Sequence, residues 1–218
     1  MHKSALLAIA LTMLIVTASL FAVAFADVSV GVKKGDWIEY QVTITGNPPQ
    51  DHNITWARMD VTGVQGEAIS LDIQTRFSNG TLLLEKITLN LATGVLGDDF
   101  FVPTNLNPGD KFYDMYQGNI TITSIEQRTA AGAERTVVSG ATNQTTYYWD
   151  RQTGILVAAT STFLEYTMHT KTSGTNIWQP QILGLDSTVF YTLVAAVVIG
   201  LVAIVVLLVW RKKVHVKS

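Results

Sequence analysis

Four histidines, His2, His52, His169 and His215, and no cysteine make up all the imidazole and thiol chemistry of this 218-residue chain. His2 falls in an apolar N-terminal segment and His215 in a short C-terminal tail, so only His52 and His169 remain in between, on segments far apart in sequence. There is no His-Glu-x-x-His, no Gly-x-Ser-x-Gly and no phosphate-binding loop. Thr93-Gly94 and Thr153-Gly154 lack the aspartate that an aspartic protease places before Thr-Gly. Asp98-Asp99 lacks the Asp-x-Asp-x-Asp-Gly spacing of a calcium loop and reads as a solvated loop pair. No catalytic residue, metal site or cofactor is expected, and the chain does not read as an enzyme. A carboxylate pair assembled by the fold would still be invisible at this level.

Two residue sets remain. Tyr147, Tyr148 and Trp149 form the densest aromatic cluster. Strand alternation sends Tyr148 to one face and Tyr147 with Trp149 to the other, so one face is core and the other is a candidate platform for a carbohydrate or a partner. Asn53, Asn79, Asn119 and Asn143 each begin an Asn-x-Thr triplet at an expected turn or strand start, where an attached glycan reaches solvent.

The elements that must carry these residues begin at the ends of the chain. Thr188 to Trp210 is an apolar run without charge or proline, long enough as a helix to cross a hydrocarbon core of about 30 Å. Arg211, Lys212, Lys213 and Lys217 follow it. Basic residues stay on the cytoplasmic side, which puts the tail of residues 211–218 inside and everything before Ser187 outside, a type I orientation in the cell membrane. At the other end, residues 1–26 have one early charge, Lys3, an apolar stretch and then Ala24-Phe25-Ala26, a signal-peptidase pattern with cleavage between Ala26 and Asp27. The apolar stretch exceeds the usual signal-peptide length, so an uncleaved anchor is the alternative. Both ends export the middle of the chain.

The charges agree. All 17 acidic residues lie between Asp27 and Asp186, where 10 of the 15 basic residues also lie, a net of about −7. Such a surface repels nucleic acid. The absence of cysteine excludes disulfide, thiol and zinc-thiolate chemistry, and a domain of this length can bury a core without covalent staples.

Residues 27–178 read as strand almost throughout. Ile38, Tyr40, Val42 and Ile44 alternate with polar neighbours, as do Ile69, Leu71 and Ile73 with Phe77 beyond them. Asn79-Gly80 predicts a type I′ hairpin returning into residues 81–91. Further strands are expected over 53–61, 119–128, 133–140 and 143–150, with one long strand over 154–170. The expected fold is all-β: an antiparallel meander closed as a sandwich, barrel or half-barrel, then a stalk over 179–187 in which Pro180 and Gly184 suit a spacer. Gly-Asp before an aromatic strand and Thr-Gly before an aliphatic pair each occur twice, at 35–36 with 94 and at 109–110 with 154. They suggest duplicated halves, 31–106 and 107–178, with an extra hairpin needed in the first. Ordinary turn chemistry is the competing explanation.

The segments GDWIEY, FVPTNLNPGDKFY and YYWDRQTGIL, together with the signal sequence, terminal span and basic tail, resemble a loosely defined group of archaeal single-span, membrane-anchored surface β proteins. The sheet pattern is similar to lipoprotein-carrier half-barrels, which hold lipid on a concave face. This chain has no lipidation cysteine and uses a helix as its anchor instead. The expected function is a membrane-anchored extracytoplasmic binding or interaction domain without catalysis, its partner a surface protein, glycan or lipid. The alternatives are a half-barrel carrier or sensor for a hydrophobic ligand, or an accessory subunit of a membrane complex.

Overall fold

A computed structural model describes residues 28–215. The expected signal segment with its Ala26–Asp27 cleavage site, and residues 216–218, lie outside the described residues. Ten strands follow in order: β1 (Trp37–Gly46), β2 (Ile54–Gln65), β3 (Ala68–Phe77), β4 (Leu82–Asn90), β5 (Lys111–Asp114), β6 (Gly118–Ala130), β7 (Ala133–Ala141), β8 (Thr145–Asp150), β9 (Leu156–Thr162) and β10 (Tyr166–Thr175). They form one antiparallel sheet in the order β4-β3-β2-β1-β10-β9-β8-β7-β6-β5. A sandwich needs two facing sheets, and the described residues form one such layer. One face of that layer contributes to a single core that takes residues from β1 to β9, so the sheet must curl onto itself to bury it. The edges β4 and β5 do not pair with each other. The loop after β4 spans the gap, with the Met115 amide donating to the Gly94 carbonyl at 2.9 Å.

The alternation read from sequence is the alternation that points inward. Ile38, Tyr40, Ile69 and Leu71 are buried, and Val42, Ile73 and Phe77 line the hollow farther along the same strands. The two Gly-Asp turns are built alike. Gly35 and Gly109 take φ of 92° and 94°, and Asp36 and Asp110 accept from the amides of Lys33 and Asn107 at 2.9 and 2.8 Å. The Asn90 and Asp150 amides in turn donate to the Val95 and Ile155 carbonyls, both at 2.8 Å, in matching Thr-Gly loops. Four strands separate the two motifs in each half, β1 to β4 and β5 to β8. No extra hairpin is present in the first half; the unequal spacing comes from the length of the strands, since β5 has 4 residues where β1 has 10.

Three other local expectations are corrected. The β3–β4 connection is not a two-residue type I′ turn, because Asn79 does not take positive φ while Gly80 does, at 85°. Instead the Asn79 side-chain oxygen accepts from the Thr81 amide, and the Phe77 amide reaches the Thr81 carbonyl. The long strand over 154–170 is two strands, β9 and β10, with a hairpin at 163–165. No glycine or asparagine marks that turn; it is held by the Phe163 amide on the Tyr166 carbonyl, with the two rings stacked at 4.5 Å. Residues 179–187 are also not a free spacer. They form a small hairpin, β11 (Gln181–Ile182) with β12 (Leu185–Asp186), tied to the β6–β7 turn by the Gln181 amide on Gly132 O at 2.8 Å.

From this hairpin springs α1 (Ser187–His215). Its stretch Ser187–Val205 has mean hydropathy 2.6 and none of it is buried, so it is long and apolar enough to cross a membrane. The helix continues past Trp210 through the basic residues, which are good helix formers and favourable at a helix C-terminus.

Candidate functional site

A curled sheet leaves a hollow wherever inward side chains fail to meet. Here the hollow is a cavity of about 630 Å³. Val42 of β1, Ala57 and Met59 of β2, Ile73 of β3, Ile87 of β4 and Met168 of β10 make apolar walls. One end is closed by the loop after β4. That loop is pinned across the interior by the Phe100 carbonyl, which accepts from the Leu156 amide, and by the Val102 amide, which donates to Gly154 O, both at 2.9 Å. Leu96, Phe101 and Val102 fill the space beneath it and are all 1% exposed. The other end is the rim formed by the β1–β2, β3–β4, β5–β6, β7–β8 and β9–β10 turns, which bring Asp51, His52, Phe77, Gln117, Gln144 and Phe163 to the cavity.

Asp99 sits where the closing loop meets the cavity. It is 1% exposed, and its Oδ1 has no hydrogen-bond partner. Its backbone is fixed by the Trp149 indole, which donates to the Asp99 carbonyl at 2.7 Å. Burial, then the nearby Asp114 carboxylate, push the Asp99 carboxyl up to about 7; the Tyr147 hydroxyl pulls it partly back and Asp98 raises it a little further. The same burial raises the Tyr147 phenol, with the Asp99 charge next in weight. A second orphan group lies in the cavity: the Tyr40 hydroxyl is buried without a partner, and its ring packs on Phe100 with centroids 5.0 Å apart. Buried polar atoms are nearly always paired, so two residues with unpaired ones in the lining of one hollow are exceptions that an ordered water or a bound molecule would satisfy.

The solvated-loop reading of Asp98-Asp99 therefore holds for one residue only. Asp98 is exposed and Asp99 is buried. The physical reason is the aromatic pair after it: packing Phe100 and Phe101 under the sheet drags Asp99 inward. That Gly-Asp-Asp-Phe-Phe juxtaposition was the only signal in the sequence. Tyr147 lines the cavity and stacks on the fully buried Trp149 at 5.0 Å, while Tyr148 points to the opposite face under the Arg128 guanidinium, 3.4 Å from its ring centroid. His52 stands at the rim with its Nδ1 on the Tyr166 hydroxyl. His169 lies on the outer face, bonded to Thr160 at 3.1 Å, so the two histidines are not brought together. Among the described residues no group of three or more His, Asp or Glu side chains has the arrangement of a metal site. Asp150 is structural: it is paired with Arg135 at 2.7 Å and accepts from the Thr153 amide and hydroxyl. The sequon residues Asn53, Asn79, Asn119 and Asn143 all fall at the rim end of the strands.

No family model and no curated protein matches the chain. Among solved structures it is similar to the siderocalin Ex-FABP, described as functioning through dual ligand specificities, at 12% identity and a TM-score of 0.24, over 64% of this chain and 70% of that one.

Proposed function

We propose that the protein is a membrane-anchored, extracytoplasmic binding protein that holds a small, largely apolar molecule inside its curved sheet without transforming it. The observation that carries this reading is the cavity. Its volume of about 630 Å³ falls in the usual range of small-molecule sites, about 300 to 1,000 Å³, and its walls combine apolar side chains with polar and acidic ones. A pure interaction module would fill that interior with its own side chains.

The anchor gives the cavity a direction. β10 ends at the closed end of the sheet, and the β11–β12 hairpin and α1 follow there. With α1 in the bilayer and its basic end inside, the rim faces away from the membrane. Ligand then enters from the exterior and not from the bilayer. All four sequons lie at that outer end, the place where glycans would meet solvent. The paired Gly-Asp and Thr-Gly turns support an origin by duplication of a four-strand unit. A tethered binding domain of this form acts as a receptor or sensor at a fixed site, in contrast to a diffusing shuttle.

Native mass spectrometry of the full-length protein, purified from its own membrane and released from micelles, tests the reading. The wild type is expected to retain a small-molecule adduct, and Ala159→Trp, which places an indole in the cavity, is expected to lose it. A wild type free of adduct, or an adduct kept by Ala159→Trp, refutes the proposal.

A further inference from the structure

The cavity has a chemical polarity as well as a shape. Five carboxylates line it, Asp51, Glu85, Asp98, Asp99 and Asp114, and neither a lysine nor an arginine does. An anionic head, such as that of a fatty acid, would bring a further negative charge into this field at low dielectric, where like charges repel most strongly. A cation would be attracted. The unpartnered Oδ1 of Asp99 supplies an acceptor already stripped of water, and the unpartnered Tyr40 hydroxyl supplies another. Beside them stand the Tyr40 and Phe100 rings, which offer electron-rich faces of the kind that hold ammonium groups. An acidic cluster on a surface would be ordinary solvation. Here the cluster has a fully buried member, Asp99, with one carboxylate oxygen unpaired where the closing loop meets the chamber.

From these observations we infer that the ligand is a small amine: an ammonium group seated between Asp99, Asp114 and the Tyr40 hydroxyl, with an apolar body extending toward the rim along Met59, Ile73 and Met168. This rests on the cavity reading above and adds the chemistry of the head. The arrangement would work by charge and shape together. Removal of the apolar body from water supplies most of the affinity, and the carboxylates choose among molecules with similar bodies. No bond is made or broken.

A matched series separates the head from the body. 4-Phenylbutylamine, 4-phenylbutanol and 4-phenylbutyrate share one body and differ in charge. Binding is measured by calorimetry to the full-length protein in phosphatidylcholine nanodiscs at about pH 8, where Asp99 is ionised, with empty discs as the blank. The amine is expected to bind about tenfold or more tighter than the alcohol, as for a charge-assisted hydrogen bond, and the butyrate weakest. Asp99→Asn should bring amine and alcohol to within about threefold of each other. Equal binding of all three, or preference for the butyrate, overturns the amine assignment and leaves the cavity reading standing. No binding of any of them overturns both. The wild-type series decides by itself should Asp99→Asn fail to fold. Excess glycerophosphocholine, a lipid head without its chains, should leave amine binding unchanged; displacement by it would assign the site to a lipid headgroup and overturn the free-amine source.

Discussion

Replacing Asp99 by asparagine keeps the shape of the side chain and removes its ionisation, which makes it the sharpest probe of the buried end of the cavity. The carboxyl moves from an ordinary 3.8 up to about 7 on folding. Three units at about 1.36 kcal/mol each set a ceiling of about 4 kcal/mol on the coupling between folding and proton binding at this site. The sign follows from the direction of the shift. A raised carboxyl holds its proton more tightly in the folded chain, so the stability it contributes is complete below about pH 4 and is lost as pH rises through about 7. From pH 5 to pH 9 the ligand-free wild type should lose up to about 2.7 kcal/mol that Asp99→Asn does not lose, the rest of the ceiling having gone between pH 4 and 5, and water entering the cavity lowers that figure. The groups that face Asp99 are Asp98 on its own loop, Asp114 on β5 and Tyr147 on β8. Only Asp99 disappears in the variant, so the difference between the two profiles isolates it. The assay is thermal unfolding of the full-length chain, followed by near-ultraviolet circular dichroism at several pH values. At about 2 to 4 °C per kcal/mol for a domain of this size, the two curves should separate by several degrees above pH 7. Parallel pH profiles would refute the reasoning and place Asp99 in contact with water.

Other expectations follow from the same geometry. Arg135→Ala leaves the 1% exposed Asp150 carboxylate without its cation, though with its Thr153 bonds, and should lower stability by about 3 kcal/mol in urea unfolding; a loss below about 1 would show the pair to be incidental. Gly154→Ala should cost at least about 2 kcal/mol, because φ is +72° and a Cβ would lie 2.0 Å from Val102 O, whereas Gly35→Ala, at φ +92° with open space around it, should carry only the backbone penalty of about 1 to 2. Val197→Arg with Val198→Arg should release a chain cleaved at Ala26 from the membrane fraction, since each charge near a helix centre opposes insertion by about 2.5 to 3.5 kcal/mol. Retention, together with an N-terminus upstream of Asp27 by mass spectrometry, would identify an uncleaved anchor. Glycopeptide masses should show modification at two or more of Asn53, Asn79, Asn119 and Asn143, and substitution of those four by glutamine should leave the unfolding temperature within a few degrees, since they occupy the rim and not the core.

What the sequence determined by itself was everything governed by local pattern. A charge-free run of lipid-spanning length, a period of two along Ile38, Tyr40 and Val42, and the absence of cysteine are properties of neighbouring residues, so they survive without knowledge of the fold. They sufficed for an all-β domain followed by one apolar helix, and for the inward face of β1 and β3. Turns were legible where a glycine must take positive φ, as at Gly35 and Gly109, and illegible at 163–165, where packing of Phe163 on Tyr166 makes the turn. Tertiary structure alone decided whether the sheet would face a second sheet or curl. Curling depends on β1 pairing with β10 across more than a hundred residues, a register that no local pattern encodes. It also decided the state of Asp99, which has the same local composition as a solvated loop acid. Its burial comes from the loop being pinned by Trp149, Leu156 and Gly154, residues of another part of the chain, and the cavity is the space those long-range contacts leave unfilled.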